Sequence, residues 1–314
     1  MLTTPILFLI FNRPDTTRRV FEKIRQERPA ILFIASDGPR ESKPGERAVC
    51  EECRNIVLNG IDWRCEVKTL FREENQGSGK GVSSAINWFF EHVEEGIILE
   101  DDVLPTKSFF SFCKEMLLRF KDDTNIMHVS GNNFQLSQIG SNSYYLSKLP
   151  HSWGWATWRR AWQKFEFDLH SFNEDELKSY FNYPPIDNFW HTMFKNTKRE
   201  LYNHVWDYQW TYTIFLHGGL CVLPQYNLAT NIGFGEEASH TSNSEDFLAN
   251  LKAYDMIIPA TEDKVVYNPV ADINSHIILK WELSPKIAPA GLSKRAFNLL
   301  LRTGKRVFDL KTDK

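Results

Sequence analysis

Gly96-Ile97-Ile98-Leu99-Glu100-Asp101-Asp102-Val103-Leu104-Pro105 joins an apolar run to three consecutive carboxylates, with apolar residues and a proline directly after. The run reads as a strand covered on both faces. That reading puts the acids at the strand's carboxyl end, the edge where open α/β sheets bind ligands. Neighbouring like charges repel, so a fold keeps them together where something positive sits. No Cys or His stands beside them. Oxygen-only ligation suits a hard divalent ion, Mg²⁺ or Mn²⁺, and such an ion characteristically holds a diphosphate. The plainer alternative, a solvated cluster closing a strand, accounts poorly for the buried run before the acids and for Val103 and Leu104 after them.

Working back from the acids, the pattern is regular. Residues 5–11 form a continuous apolar run, Asn12-Arg13-Pro14-Asp15 turns the chain, and 16–26 reads as a helix with Val20, Phe21 and Ile24 on one face. Residues 30–36 read as a second buried strand ending at Asp37-Gly38-Pro39, followed by a helix over 46–58 and a strand over 65–72. A Gly-rich turn, Asn75-Gln76-Gly77-Ser78-Gly79-Lys80-Gly81, leads to a helix over 83–91 and then to the acid-bearing strand. Strand and helix in strict alternation predict an α/β, doubly wound, mostly parallel sheet flanked by helices.

Beyond Phe120 the regularity fades. Residues 126–130 and 143–146 read as strands, 150–217 as mostly helical and rich in Trp, Phe and Tyr, and 221–223 as a short strand. Residues 225–243 form a polar, Gly-containing loop too long for a mere connection, as lids and binding loops are. The expected organisation is one domain over 1–285, with a regular α/β half (1–125) and an aromatic, helical half (126–285). A basic amphipathic tail over 286–314 follows, with Lys294, Arg295, Arg302, Lys305 and Arg306 interleaved with Phe297, Leu300 and Phe308. Such a tail either lies on an anionic membrane surface or docks by its apolar face.

The 314 residues suffice for a full core, and a formal net charge of -3 gives no reason to expect nucleic acid as a partner. Five scattered cysteines argue against a disulfide framework and suit a reducing compartment. Cys50-Glu51-Glu52-Cys53 lacks the second pair or spaced His of a zinc site, so it reads as two thiols one helical turn apart. The opening residues lack a basic stretch before a short apolar run, and no segment is long enough to span a bilayer. The expected location is the cytosol, with peripheral membrane contact through the tail as an option.

Individual residues carry separate alternatives. The Gly-rich turn is not a Walker A motif, because Gly77 lies only two residues before Gly79-Lys80 and Gly81 stands where Ser or Thr is needed. Lys80 and its glycines either touch a ligand or merely turn the chain. Asp37 either accepts a hydrogen bond from a base or caps its turn, and Arg13 faces either a base or a diphosphate. Trp153 and Trp155 are candidate stacking surfaces for an acceptor sugar.

Together these residues resemble glycosyltransferases of the GT-A fold, and most closely the N-acetylglucosaminyltransferase I type. The resemblance runs from about Pro5 to Thr241, and it makes 1–125 the nucleotide-sugar-binding half and 126–285 the acceptor-binding half of a catalytic domain. It implies that Asp102 is the metal ligand, that Glu100 and Asp101 contact the ribose and donor sugar, and that Arg13 and Asp37 help hold uridine. Gly154-Trp155-Ala156-Thr157-Trp158 matches the family's Gly-Trp segment. Trp206-Asp207-Tyr208-Gln209-Trp210 resembles the family's Trp-Asp-Asp-Trp stretch, whose Asp is the catalytic base, but has one extra residue and Tyr in place of the second Asp. Pro224, Thr230, Phe234-Gly235 and Ser239-His240 match a loop that orders over the donor, with His240 meeting the diphosphate.

The implied reaction is an inverting, Mn²⁺- or Mg²⁺-dependent transfer from a nucleotide-sugar donor, UDP-linked by preference, to a glycan or lipid-linked acceptor in surface polysaccharide synthesis. A sugar-nucleotide nucleotidyltransferase is one rival; it would open with a Gly-rich basic loop where this chain has Asn12-Arg13-Pro14-Asp15. A non-catalytic carbohydrate-binding protein is another; it would have no need of Glu100-Asp101-Asp102.

Overall fold

The computed structural model describes residues 1–135, 137–175, 179–199, 204–233, 248, 251–259 and 263–283. Strands β1 (Ile6–Ile10), β2 (Ile31–Ser36) and β4 (Glu95–Glu100) are apolar at almost every position, and nearly every residue in them is buried. β3 (Glu66–Phe71) differs: it carries Glu66 and Lys68, stays largely open to solvent and closes one edge of the sheet. Charge on an edge strand discourages pairing with a foreign chain. Between these strands run α1 (Pro14–Glu27), α2 (Glu46–Gly60) and α3 (Gly77–His92). Pro14 opens α1, where its fixed φ and missing N–H cost nothing, and Arg28 closes it in the left-handed region at φ 49°.

Among the described residues the main sheet has eight strands in the order β3-β2-β1-β4-β8-β6-β9-β7. The added strands are β6 (Ile126–Ser130), β7 (Tyr144–Ser147), β8 (Trp155–Trp158) and β9 (Leu220–Pro224). The β3-β2-β1-β4 half is wholly parallel. β8 runs antiparallel to both β4 and β6, and β6 pairs parallel with β9. Two reversals return β6 and β9 to the direction of β4. The carboxyl ends of six strands therefore share one edge of the sheet. A second, two-stranded sheet pairs β5 (Val103–Pro105) with β10 (Ala229–Asn231), antiparallel.

Helices cover both faces. One layer holds α1, α2 and α4 (Lys107–Arg119), packed through residues such as Phe21, Val57, Phe109 and Met116. The other holds α3, α5 (Arg159–Trp162), α6 (Pro184–Lys198) and α7 (Asp207–Leu216), packed through residues such as Phe89, Trp162, Phe194 and Trp210. α8 (Pro269–Leu283) follows near β7. This is the doubly wound α/β class that the strand–helix alternation predicts.

Several local expectations are corrected. The Gly-rich turn is the first turn of α3, since the helix starts at Gly77 rather than at 83. The mostly helical reading of 150–217 misses β8, whose Trp-rich sequence lies in the middle of the sheet. The 225–243 loop contains β10 at its start, and 234–243 lies outside the described residues, as does the 286–314 tail. Cys50 and Cys53 share the buried side of α2, and burial pushes their thiols up to about 11 and about 12, as inert packing cysteines. Among the described residues no helix is long and apolar enough to cross a membrane.

Candidate active site

Alternation along β4 sorts the end of the strand. Ile98 lies in the same buried cluster as Trp155, Trp206 and Trp210, whereas Leu99 belongs to the cluster on the opposite face. Glu100, two residues beyond Ile98, therefore faces the layer that holds α7. α7 and β9 are antiparallel neighbours in the chain, so the amino end of α7 comes to the same edge as the acids. Asp207 is the first residue of that helix.

The electrostatics agree with that placement. Burial pushes the Glu100 carboxyl up to about 8, and the charges of Asp102, Asp101 and Asp207 push in the same direction against Arg13. Carboxylates far apart in sequence thus share one field. Asp101 is 7% exposed, and burial, followed by Asp102, pushes it up to about 7. Its Oδ2 accepts the N–H of Phe11 at 3.0 Å and the hydroxyl of Thr17 at 3.4 Å, which binds the acid turn to the β1–α1 corner. Asp102 Oδ2 meets Arg13 Nη1 at 2.5 Å, and the two side chains are 19% and 22% exposed. Arg13 and Asp102 therefore form an ion pair at this edge, where the sequence alone leaves Arg13 facing a base or a diphosphate.

Asp37 lies at a second corner. Its carboxylate accepts the N–H groups of Gln76 and Gly77, each at 3.0 Å, and its own Gly38 N–H at 3.0 Å. The N–H groups of Gln76 and Gly77 are orphan donors at the start of α3, so the side chain works as a helix cap. Gly81 lies 3.1 Å from Asp37 Oδ2 at the position a Cβ would take, which is why a small residue suits the first turn. Lys80 is exposed on the same turn. Lys80 thus stands on the helix start that Asp37 caps, and among the described residues no ion pair joins it to the acids.

Trp155 is not a sugar platform. It is 0% exposed and stacks on Trp206 at 5.3 Å and on His128 at 5.0 Å. Trp206 and Trp210 flank Asp207 in this buried cluster, so the tryptophans of the motif fix the amino end of α7. Aromatic mass here holds the carboxylate in place. Trp153 is half-buried beside Phe134, with ring centroids 5.5 Å apart, and continuing the β4–β8 register sets it opposite Glu100.

Other residues at this edge escape a motif reading. Arg54, 4% exposed on α2, donates to Ser36 Oγ at 3.0 Å and to the Arg72 carbonyl at 2.7 Å, locking together the ends of β2 and β3. Asn132 and His151 follow β6 and precede β8; Asn132 Nδ2 and His151 Nε2 are buried without a partner among the described residues. Polar residues directly after a buried strand are the available signal, though their burial is not legible in it. His240, Phe234, Gly235 and Ser239 lie outside the described residues.

A hard cation at this edge would find oxygen ligands only and would need a substrate to complete its shell. Among the described residues no group of three His, Cys, Asp or Glu is arranged to hold a metal. Asp102 offers oxygen ligation from one side only. Mg²⁺-type ions are commonly bound through one or two carboxylates plus substrate phosphates, and Asp102 has that character.

No family model matches this chain, and no curated protein matches it. Among solved structures the chain is similar to HddC from Yersinia pseudotuberculosis, with a TM-score of 0.31 and 10% identity over 50% of this chain and 78% of that one. It is similar to the inositol-1-phosphate CTP transferase from T. maritima, with a TM-score of 0.33 and 11% identity over 55% and 76% of the two chains. Mouse xyloside xylosyltransferase 1 in its apo form gives a TM-score of 0.33 and 12% identity over 68% and 81%. Likenesses this distant carry no weight for chemistry, which rests on the geometry above.

Proposed function

We propose that this chain is a metal-dependent, inverting glycosyltransferase of GT-A type, within the nucleotide-diphospho-sugar transferases. It moves a sugar from a nucleoside diphosphate, UDP by preference, to a hydroxyl of a glycan or lipid-linked acceptor. The observation that supports the reading is the sheet order, which brings the head of α7, Asp207, to the edge where β4 ends, with the charge of Asp207 felt at Glu100.

Asp102 and the donor diphosphate would hold Mn²⁺ or Mg²⁺, which supplies charge neutralisation for the leaving diphosphate. Asp207 takes the acceptor proton as the hydroxyl attacks the anomeric carbon from the side opposite the diphosphate. Glu100, on the same face as Asp207, contacts the donor. Asp101 holds the acid turn against the β1–α1 corner through Phe11 and Thr17. The buried Trp155–Trp206 stack keeps Asp207 oriented, which a general base requires.

Incubation with a panel of nucleotide sugars and Mn²⁺, reading released nucleotide and the product anomer by NMR, tests the proposal. Release of a nucleoside diphosphate with inverted configuration supports it, and retention removes Asp207 from the base role. Formation of a sugar nucleotide from a nucleoside triphosphate and a sugar phosphate would instead identify the nucleotidyltransferase alternative.

A further inference from the structure

We infer that Arg13 and the divalent cation compete for the same oxygen of Asp102, so that the bare cation is held off and a diphosphate is needed to draw Arg13 away. The inference deepens the proposed function and rests on its assignment of Asp102 as metal ligand.

Arg13 is held at its backbone. It occupies the position before α1, and its carbonyl accepts the Thr17 N–H at 2.9 Å. Only its side chain is left to choose a partner, and that partner is Asp102 Oδ2 at 2.5 Å. A guanidinium there occupies the space and supplies the charge that a cation would bring. Asp101 Oδ2 is already occupied, since it accepts from Phe11 N–H and the Thr17 hydroxyl.

The pair is also boxed in. The Ile232 N–H donates to the Asp102 carbonyl at 2.7 Å, and Asn231 pairs with Val103 across the β5–β10 ladder. Gly233 follows, so close that a Cβ there would run into the Asp102 carboxylate and Arg13 Nη1. Asp102 is thus pinned by its own backbone. Arg13 is the movable partner, and a diphosphate, with two or more anionic oxygens, is the ligand class that outbids a single carboxylate for it. In the donor complex the guanidinium moves to phosphate and leaves Asp102 Oδ2 to the cation.

Manganese titration followed by the EPR signal of free Mn²⁺ tests this without turnover. With Mn²⁺ alone, Arg13→Gln is expected to bind about tenfold more tightly than wild type, or about 1.4 kcal/mol. Arg13→Lys, which keeps a charge facing Asp102, is expected to bind less tightly than Arg13→Gln. Adding Asp102→Asn to Arg13→Gln is expected to abolish the gain. UDP is expected to tighten Mn²⁺ binding strongly in wild type and much less in Arg13→Gln. The inference is overturned if Arg13→Gln binds Mn²⁺ no better than wild type, including the case where neither binds, or if the gain survives Asp102→Asn. Far-UV circular dichroism and melting of each variant confirm that folded protein is compared. Failure of the proposed function is distinct: wild type would then show no Mn²⁺-dependent binding of UDP or any other nucleoside diphosphate.

Discussion

Substituting Glu100 by Gln probes the acid edge through stability. Glu100 is pushed up to about 8 from an ordinary 4.5, first by burial and then by Asp102, Asp101 and Asp207. The raised value means the folded protein keeps a proton that the unfolded chain has already lost. Stability from this group is therefore fully present below about pH 4.5 and drains away as pH rises towards about 8. The buried histidines act in the opposite sense. Burial lowers His128 to about 3 and His151 to about 4 from 6.5, so their contribution is complete above 6.5 and lost as pH falls.

The clean window therefore runs upward from pH 6.5. Between pH 6.5 and 8.5, metal-free wild type is expected to lose about 2 kcal/mol through Glu100, at about 1.4 kcal/mol per unit. Asp101, pushed up to about 7, adds to the fall. Urea denaturation in EDTA at several pH values in that window measures it. Glu100→Gln, which stays neutral throughout, is expected to flatten the slope by about that amount. Equal slopes in the two proteins would show that Glu100 is ionised in the folded state, and the crowded-carboxylate description of this edge would be wrong.

Asp207→Asn is expected to lower kcat by about 10²–10⁴ while leaving the nucleotide diphosphate Kd unchanged, checked by steady-state kinetics and calorimetry. Asp37→Ala removes the cap on Gln76 and Gly77 and is expected to cost about 1 kcal/mol in urea denaturation; a change confined to nucleotide affinity would instead make Asp37 a donor contact. Trp155→Ala is expected to destabilise by about 3–5 kcal/mol, measured the same way, because the ring is enclosed by Trp206 and His128. A near-neutral result there would return Trp155 to an acceptor-facing role.

The parallel half of the fold was legible because its strands are covered on both faces and its helices show one apolar side. Val20, Phe21 and Ile24 do face the core. The rest depends on contacts that a linear pattern does not carry. β8 reads as helical because Trp, Ala and Thr alternate too briefly to betray a strand, and only its neighbours β4 and β6 make it one. α3 starts early because Asp37, distant in sequence, caps it. β5 and then α4 follow the acids, and both fall outside the regular strand–helix pattern read from the sequence. At the site, the acids were legible from their place directly after an apolar run. That Asp207 comes to the same edge as Glu100 was not, since it follows from the order of the sheet. The tryptophans illustrate the limit: the same residues serve as stacking surfaces when exposed and as core when buried, and only packing decides.

Calorimetric titration of UDP into the wild-type protein, with Mn²⁺ and then with EDTA, tests the central claim most directly. Binding in Mn²⁺ that disappears in EDTA and in Asp102→Asn is the expected result. Equal affinity with and without the cation, or undiminished binding in Asp102→Asn, would contradict a diphosphate held through a metal at the end of β4.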